Sequence, residues 1–140
     1  LDSTIDYVEN GMLLAVDPAT KTVNYAKTGD EFIALNYTTE HMYDERLAHG
    51  LKHFRLDNGT FLPRLGYLAT GDKFTTNCVS IATATGEYAT IEEVIAACVY
   101  GYASADGSIL VNNEKDGAVV KVVGKTTMPD GQDAVKFIAL

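Results

Sequence analysis

Along most of the chain, apolar and polar residues alternate with a period of two, in short runs broken by Gly, Asp, Asn and Pro. A strand sends successive side chains to opposite faces, so runs of about four to eight such residues predict half-buried strands. Met12 to Val16 and Thr22 to Tyr25 form a hairpin candidate around Asp17-Pro18-Ala19-Thr20. Glu31 to Thr38 is a further strand, rich in aromatic and branched residues. Thr60 to Asn77 reads as two strands about a tight turn at Thr70-Gly71-Asp72. Pro63 cannot donate to a ladder, which demotes the first of these to an edge or broken strand. Val79 to Tyr88 is strand-like, and "DGSILVNN", "AVVKVVGKTT" and "AVKFIAL" complete a meander. The last two runs meet at Pro129-Asp130-Gly131, where Pro fixes φ, Asp bonds its own backbone and Gly takes positive φ.

The final run is unusual in being apolar on both sides. Val135, Phe137 and Ala139 share one face, and Ala134, Ile138 and Leu140 share the other, interrupted only by Lys136. Such a strand wants cover on both faces, inside a sandwich or beneath a partner subunit.

Two stretches depart from the period of two. Thr39 to Phe54 has helical character, with Thr38 or Thr39 as cap and Met42, Leu47, Leu51 and Phe54 as an apolar stripe. Gly50 weakens it towards two short helical turns. Thr90 with Glu93 three residues on makes a capping-box pattern, predicting a short helix from Thr90 to Ala97 that leads into a strand. Residues 1–10 are polar with isolated apolar residues (Leu1, Ile5, Val8) and read as an N-terminal arm or edge strand. No repeat or linker divides the chain. The expectation is one mainly β domain over residues 1–140, sandwich- or barrel-like, with one or two short helices.

Composition narrows the function more than the fold. At 46% hydrophobic and 21% charged residues, the 140-residue chain has the balance of a globular domain with a real core. Its net charge is −8 and its Lys and Arg are scattered singly, so the electrostatic footprint of a nucleic-acid binder is missing. An acidic surface also disfavours an anionic membrane, and no apolar run approaches the length of a membrane span. Cys78 and Cys98 lie outside any CxxC spacing and read as small buried hydrophobes in a reducing compartment. Asn36-Tyr37-Thr38 and Asn58-Gly59-Thr60 match the glycosylation triplet, a pattern that arises easily by chance. Leu1 stands where an initiator Met would, which is compatible with a short leader upstream.

The sharpest chemical candidate is His41, Glu45, His49 and His53, recurring every four residues. Each step of four turns a helix face by about 40°, so neighbouring pairs can share a metal but all four cannot converge on one ion. The spacing is not HExxH, and no cysteine or further histidine lies nearby to complete a tetrahedral zinc site. Solvated histidines on an amphipathic segment are the simpler reading. Ser3, Ser80, Ser104 and Ser108 lack the G-x-S-x-G elbow, and Asp44-Glu45 and Glu92-Glu93 are adjacent pairs that do not face one another. No phosphate-cradling glycine motif is present. Neither a catalytic role nor a cofactor is expected.

The glycine-led hairpin "NGMLLAVDPATKTV", the middle stretch "LGYLATGDKFTTN" and the final "VVGKTTMPDGQDAVKFIAL" together give the chain a familiar order of elements. It resembles the small head decoration (cement) proteins of tailed bacteriophages, chiefly over Phe61 to Asn77 and Val119 to Leu140. That resemblance implies a non-enzymatic virion protein on the capsid exterior, made in the bacterial host cytoplasm. Its partner would be the major capsid protein, and it would commonly form a homo-trimer. A trimer would supply the outer cover for the two-faced terminal strand. Contact with capsid or neighbouring subunits is expected from the arm, through Leu1, Ile5, Tyr7 and Val8, and from Phe61, Leu62, Leu65 and Tyr67. Two other readings stand beside it. One is a carbohydrate- or cell-surface-binding module, which requires exposed tyrosines clustered on one sheet. The other is a metal-dependent enzyme using His41, Glu45 and His49.

Overall fold

A computed structural model describes residues 1–39, 54–59, 62–83 and 86–140. In chain order the elements are β1 (Tyr7–Val8), β2 (Leu13–Asp17), β3 (Thr22–Tyr25), β4 (Ile33–Asn36), β5 (Leu56–Asp57), β6 (Leu65–Tyr67) and β7 (Lys73–Thr76). They continue with β8 (Val79–Ser80), β9 (Ala82–Thr83), β10 (Gly86–Glu87), α1 (Ile91–Ala97), β11 (Tyr100–Ala103), β12 (Ile109–Asn112), β13 (Val120–Thr127) and β14 (Asp133–Ala139). The domain is mainly β, as the alternation predicts. The helical expectation over Thr39 to Phe54, with His41, Glu45, His49 and His53, falls almost wholly outside the described residues.

The largest sheet has six strands in the order β7-β14-β13-β11-β12-β8, antiparallel throughout except for the β12–β8 pair. Its central strands are β13 and β11, and β13 joins β14 in a hairpin. At the tip of that hairpin Gly131 has φ +87° and donates its N–H to Met128 O at 2.9 Å. Asp130 Oδ1 accepts from Gln132 N at 3.2 Å. These are the roles that Pro129-Asp130-Gly131 predicts.

The register brings Val120 and Gly101 opposite one another, aligns Val122 with Phe137, and aligns Phe137 with Phe74. Side chains opposite one another share a face, so this register builds one continuous apolar surface. Val111, Val120, Val135 and Phe137 on it are wholly buried. Gly101 sits in its middle, where a Cβ would come within 2.6 Å of Val120 Cγ2 and 2.8 Å of Ile109 Cγ2. Gly101→Ala is therefore expected to lower stability by about 1–3 kcal/mol through overpacking, read as a lower denaturant midpoint with an unchanged slope.

Two elements cover that surface. One is the four-stranded antiparallel sheet β3-β2-β4-β6, which contributes buried Leu13 with Ala15, Ile33 and Leu35 around it. The other is α1, which buries Val94 in the same core. Thr90 caps α1 by accepting from Glu93 N at 3.3 Å, and Glu93 Oε2 reaches back to Ala89 N at 3.0 Å. This is the predicted capping box, shifted by one residue on its return bond. Lys125 of β13 fixes the helix start through Glu92, with Nζ to Oε1 at 2.6 Å.

Leu13 and Leu14 are adjacent in sequence and both wholly buried, so the four-stranded sheet is covered on both faces. Leu13 faces the six-stranded sheet. Leu14 faces a second core with Ile5, Val8, Met12, Leu56 and Cys78, flanked by Val23, Tyr25 and Leu65. The molecule thus stacks three layers: the six-stranded sheet with α1 beside the four-stranded one, then the four-stranded sheet, then the N-terminal residues with the β1–β5 ribbon.

Candidate contact surfaces

The N-terminal residues expected to be a contact arm are part of the fold. Val8 is wholly buried and Ile5 is 4% exposed, while Leu1 and Tyr7 are half-buried against the same core. β1 pairs with β5 through Tyr7 with Asp57 and Val8 with Leu56. Asp2 N donates to Val23 O at 2.8 Å, and Arg55 lies over the Tyr7 ring at 4.8 Å from its centroid. Of the two readings of this stretch, the edge strand is the one the structure shows, and the free arm is corrected. Ile5 and Val8 satisfy their apolar surface within the chain and have none to offer a capsid. The reason is a long-range pairing that brings Leu56 and Asp57 onto residues 7 and 8.

The second predicted contact region has the opposite character. Phe61 lies outside the described residues. Leu62 is 87% exposed and Tyr67 is 63% exposed, whereas Leu65 is half-buried beside the second core. β6 is the outermost strand of its sheet, bonded to β4 alone among the described strands. Pro63 precedes it, in keeping with the edge position predicted for that run. Tyr37, just beyond β4, lays its ring against Gly66, where a Cβ would come within 2.8 Å of Cε1. Arg64 stacks over the same ring at 5.0 Å. Gly66 is thus the residue that lets an aromatic ring lie flat against an edge strand.

The exposed tyrosines do not form one platform. Tyr67 pairs with Ala34 and shares its face, while Tyr37 sits over Gly66 on the face of Leu35. Tyr102 is buried and donates its hydroxyl to Glu114 O, and Tyr25 donates to Tyr7 O at 2.6 Å. The clustering that a carbohydrate-stacking sheet requires is not found among the described tyrosines.

The terminal strand answers its own question only in part. Val135, Phe137 and Ala139 are buried by this chain's other layers. On its other face Ala134 is buried, Ile138 is half-buried, Lys136 is exposed and Leu140 is 43% exposed. Lys73 pairs with Ile138, Ile138 with Lys121, and Lys136 with Thr75, so three lysines share this outer face. It is a face on which three lysines surround Ile138, while Ala134 is already covered by this chain. Lys136 was the sequence signal for those charges, being one of three on a single face.

A cleft of about 430 Å³ lies beside the β2–β3 turn, lined by Asp2, Asp17, Asp30, Glu31 and Phe32 among others. Three of its carboxylates close local turns. Asp17 Oδ1 accepts from Ala19 N at 2.8 Å, Asp30 Oδ2 from Lys27 N at 2.7 Å, and Asp2 Oδ1 from Thr4 N at 2.8 Å. Hydrogen bonds from the Thr20 side chain and from backbone N–H groups hold Asp17 below the usual carboxylate value. These groups shape loops.

Neither cysteine is placed for chemistry. Burial pushes the Cys78 thiol up to about 11, against the smaller pull of its hydrogen bond with Thr76, and Sγ donates to Asn10 O at 3.3 Å. A thiol with so little thiolate at neutral pH is a poor nucleophile. Cys98 is 1% exposed in the other core. Among the described residues no group of three or more His, Cys, Asp or Glu is placed to hold a metal, and no helix is long and apolar enough to cross a membrane.

One buried polar residue has a structural role that its glycosylation triplet does not suggest. Asn36 is 1% exposed, donates Nδ2 to Glu9 O at 2.8 Å and accepts from Thr38 Oγ1 at 2.7 Å. It ties β4 to the N-terminal layer, and as a buried amide it is no open glycosylation acceptor. The sequence signal for that role is a polar residue in an otherwise apolar run. No protein family, curated protein or solved structure matches the chain.

Proposed function

We propose that the chain is a structural protein that docks on the outside of an assembled phage capsid and reinforces it through protein–protein contact, centred on the β6 edge. The observation that carries this reading is the pair Leu62 and Tyr67, large apolar side chains left 87% and 63% exposed just before and on the outermost strand of the four-stranded sheet. A domain that buries Leu13, Leu14, Val8 and Phe137 completely has the means to cover such groups, so their exposure marks a surface kept for a partner. Arg64 stacked on Tyr37, on the opposite face of the same edge, adds the residue types that dominate binding hot spots. The outer edge of β6, unpaired among the described strands, can also extend its ladder onto a partner strand.

The resemblance to decoration proteins falls on the same elements. "LGYLATGDKFTTN" spans β6, the turn and β7, and the terminal stretch covers most of β13 and all of β14. In this reading the major capsid protein is the partner, the copies act as a trimer at a lattice position, and the chain works without a cofactor or catalytic step.

The test is co-sedimentation with assembled heads of the virus that encodes the chain, using wild type, Leu62→Asp and Tyr67→Asp. Both side chains are exposed, so far-UV dichroism and thermal midpoint should stay as in wild type. Each substitution is expected to weaken head binding by about tenfold or more, the scale of a lost hot spot. Folded variants that bind as well as wild type would remove β6 from the interface.

A further inference from the structure

The turn Asp57-Asn58-Gly59 holds the N-terminal layer through one side-chain amide. Asn58 Nδ2 donates to the carbonyl oxygens of Asp2 at 2.9 Å and Ile5 at 3.0 Å, and Asn58 N donates to Asp6 O at 2.7 Å. Both side-chain donors of the amide are engaged, a role that a carboxylate, which only accepts, cannot fill. The residue that follows is Gly59, exposed, at φ +83°, with no described atom beyond its chain neighbours within 4 Å of the place a Cβ would take. It has no side chain of its own to stand between its backbone nitrogen and the Asn58 amide.

We propose that Asn58 is a site of spontaneous deamidation, gated by the docking of residues 1–6, so that the turn acts as a one-way latch on the N-terminal layer. The Gly59 backbone nitrogen attacks Asn58 Cγ and forms a new N–Cγ bond. The Cγ–Nδ2 bond breaks, and Nδ2 leaves as ammonia carrying the proton lost from Gly59 N. Water then opens the five-membered succinimide at either carbonyl, leaving aspartate or isoaspartate at position 58. Water is the only co-reactant. Ring closure needs the amide free to rotate, and the bonds to Asp2 and Ile5 hold it while the layer is docked. Local opening of residues 1–6 frees it. The carboxylate product then faces two carbonyl oxygens where a donor stood, close to the chain segment that carries Asp2 and Asp6. Redocking is disfavoured, and the apolar face of Leu14, Val23 and Leu56 beneath is left less covered.

The test uses the full chain held at mildly alkaline pH and raised temperature, with mass spectrometry of the Asn58 peptide for the one-dalton gain and its isoaspartate form. Ile5→Ala loosens the layer without touching Asn58 or Gly59, and Ile5→Val makes a smaller cut should the first fail to fold. Conversion is expected to be slow in wild type and about tenfold or more faster in Ile5→Ala, following the rise in open population. Ile5→Val should fall between them. Asn58→Asp, which mimics the product, should lose residues 1–6 to limited proteolysis sooner than wild type while retaining cooperative unfolding. Equal conversion rates in wild type and the Ile5 variants would overturn the gating. An Asn58 that stays an amide in every folded form, while the denatured chain converts, would overturn the site.

Discussion

Phe137→Ala is expected to lower the unfolding free energy by about 3–5 kcal/mol, among the largest losses any single truncation here can cause. Phe137 is the largest wholly buried side chain in the molecule as described. It sits mid-strand in β14, opposite Val122 on one side and Phe74 on the other, with the Phe74 and Phe137 ring centroids 5.7 Å apart. Phe137 Cε1 lies 3.4 Å from the place a Cβ would take on Gly101, so removing the ring leaves a hole beside a residue with no side chain to fill it. The loss should appear in denaturant melts as a lower midpoint, and in thermal melts as a fall of roughly 10 °C or more for a domain of this size. A loss below about 1 kcal/mol would mean that the two covering elements do not meet the six-stranded sheet as described.

Removal of residues 1–9 is expected to abolish cooperative folding, or nearly so. A free contact arm could be deleted without cost to the fold. Here the deletion takes out Ile5 and Val8, removes β1 from β5 and uncovers Leu14, Met12 and Leu56. It also removes Glu9 O, the acceptor for the buried Asn36 amide. Losing two buried aliphatic side chains costs about 2–5 kcal/mol each when truncated singly, and an orphaned buried donor adds about 1–3 kcal/mol. Together these rival the roughly 5–15 kcal/mol that holds a typical domain folded. The check is near-ultraviolet dichroism with a urea melt. A truncated chain with a sharp transition near the wild-type midpoint would return residues 1–9 to the status of an arm.

Much of the fold was legible because its signals are local. The capping pattern at Thr90 and Glu93 located α1, and Pro129-Asp130-Gly131 located the tip of the longest hairpin of the main sheet. Alternation found β2, β3, β4, β7, β12 and both long strands. The misreadings share one cause, which is that layer order depends on contacts far apart in sequence. Nothing near Ile5 and Val8 announces that Leu56 will pair beside them. The adjacent buried pair Leu13 and Leu14 breaks strict alternation and was the available hint that a third layer exists. In β14 the same kind of hint was met in part. Ala134 is wholly buried and Ile138 half-buried, while their neighbours across the ladder, Lys73, Lys121 and Thr126, are polar. The β6 edge was legible through Pro63, but the exposure of Leu62 and Tyr67 required the sheet order to be known.

The central claim is that the chain binds the exterior of an assembled capsid. Electron cryomicroscopy of stripped heads incubated with the purified chain addresses it most directly. The account predicts added density at one class of lattice position outside the shell, saturating as chain is added, with the strand following Leu62 turned towards the shell. Heads that gain no density at saturating chain, or chain that binds unassembled capsid protein as well as it binds heads, would contradict it.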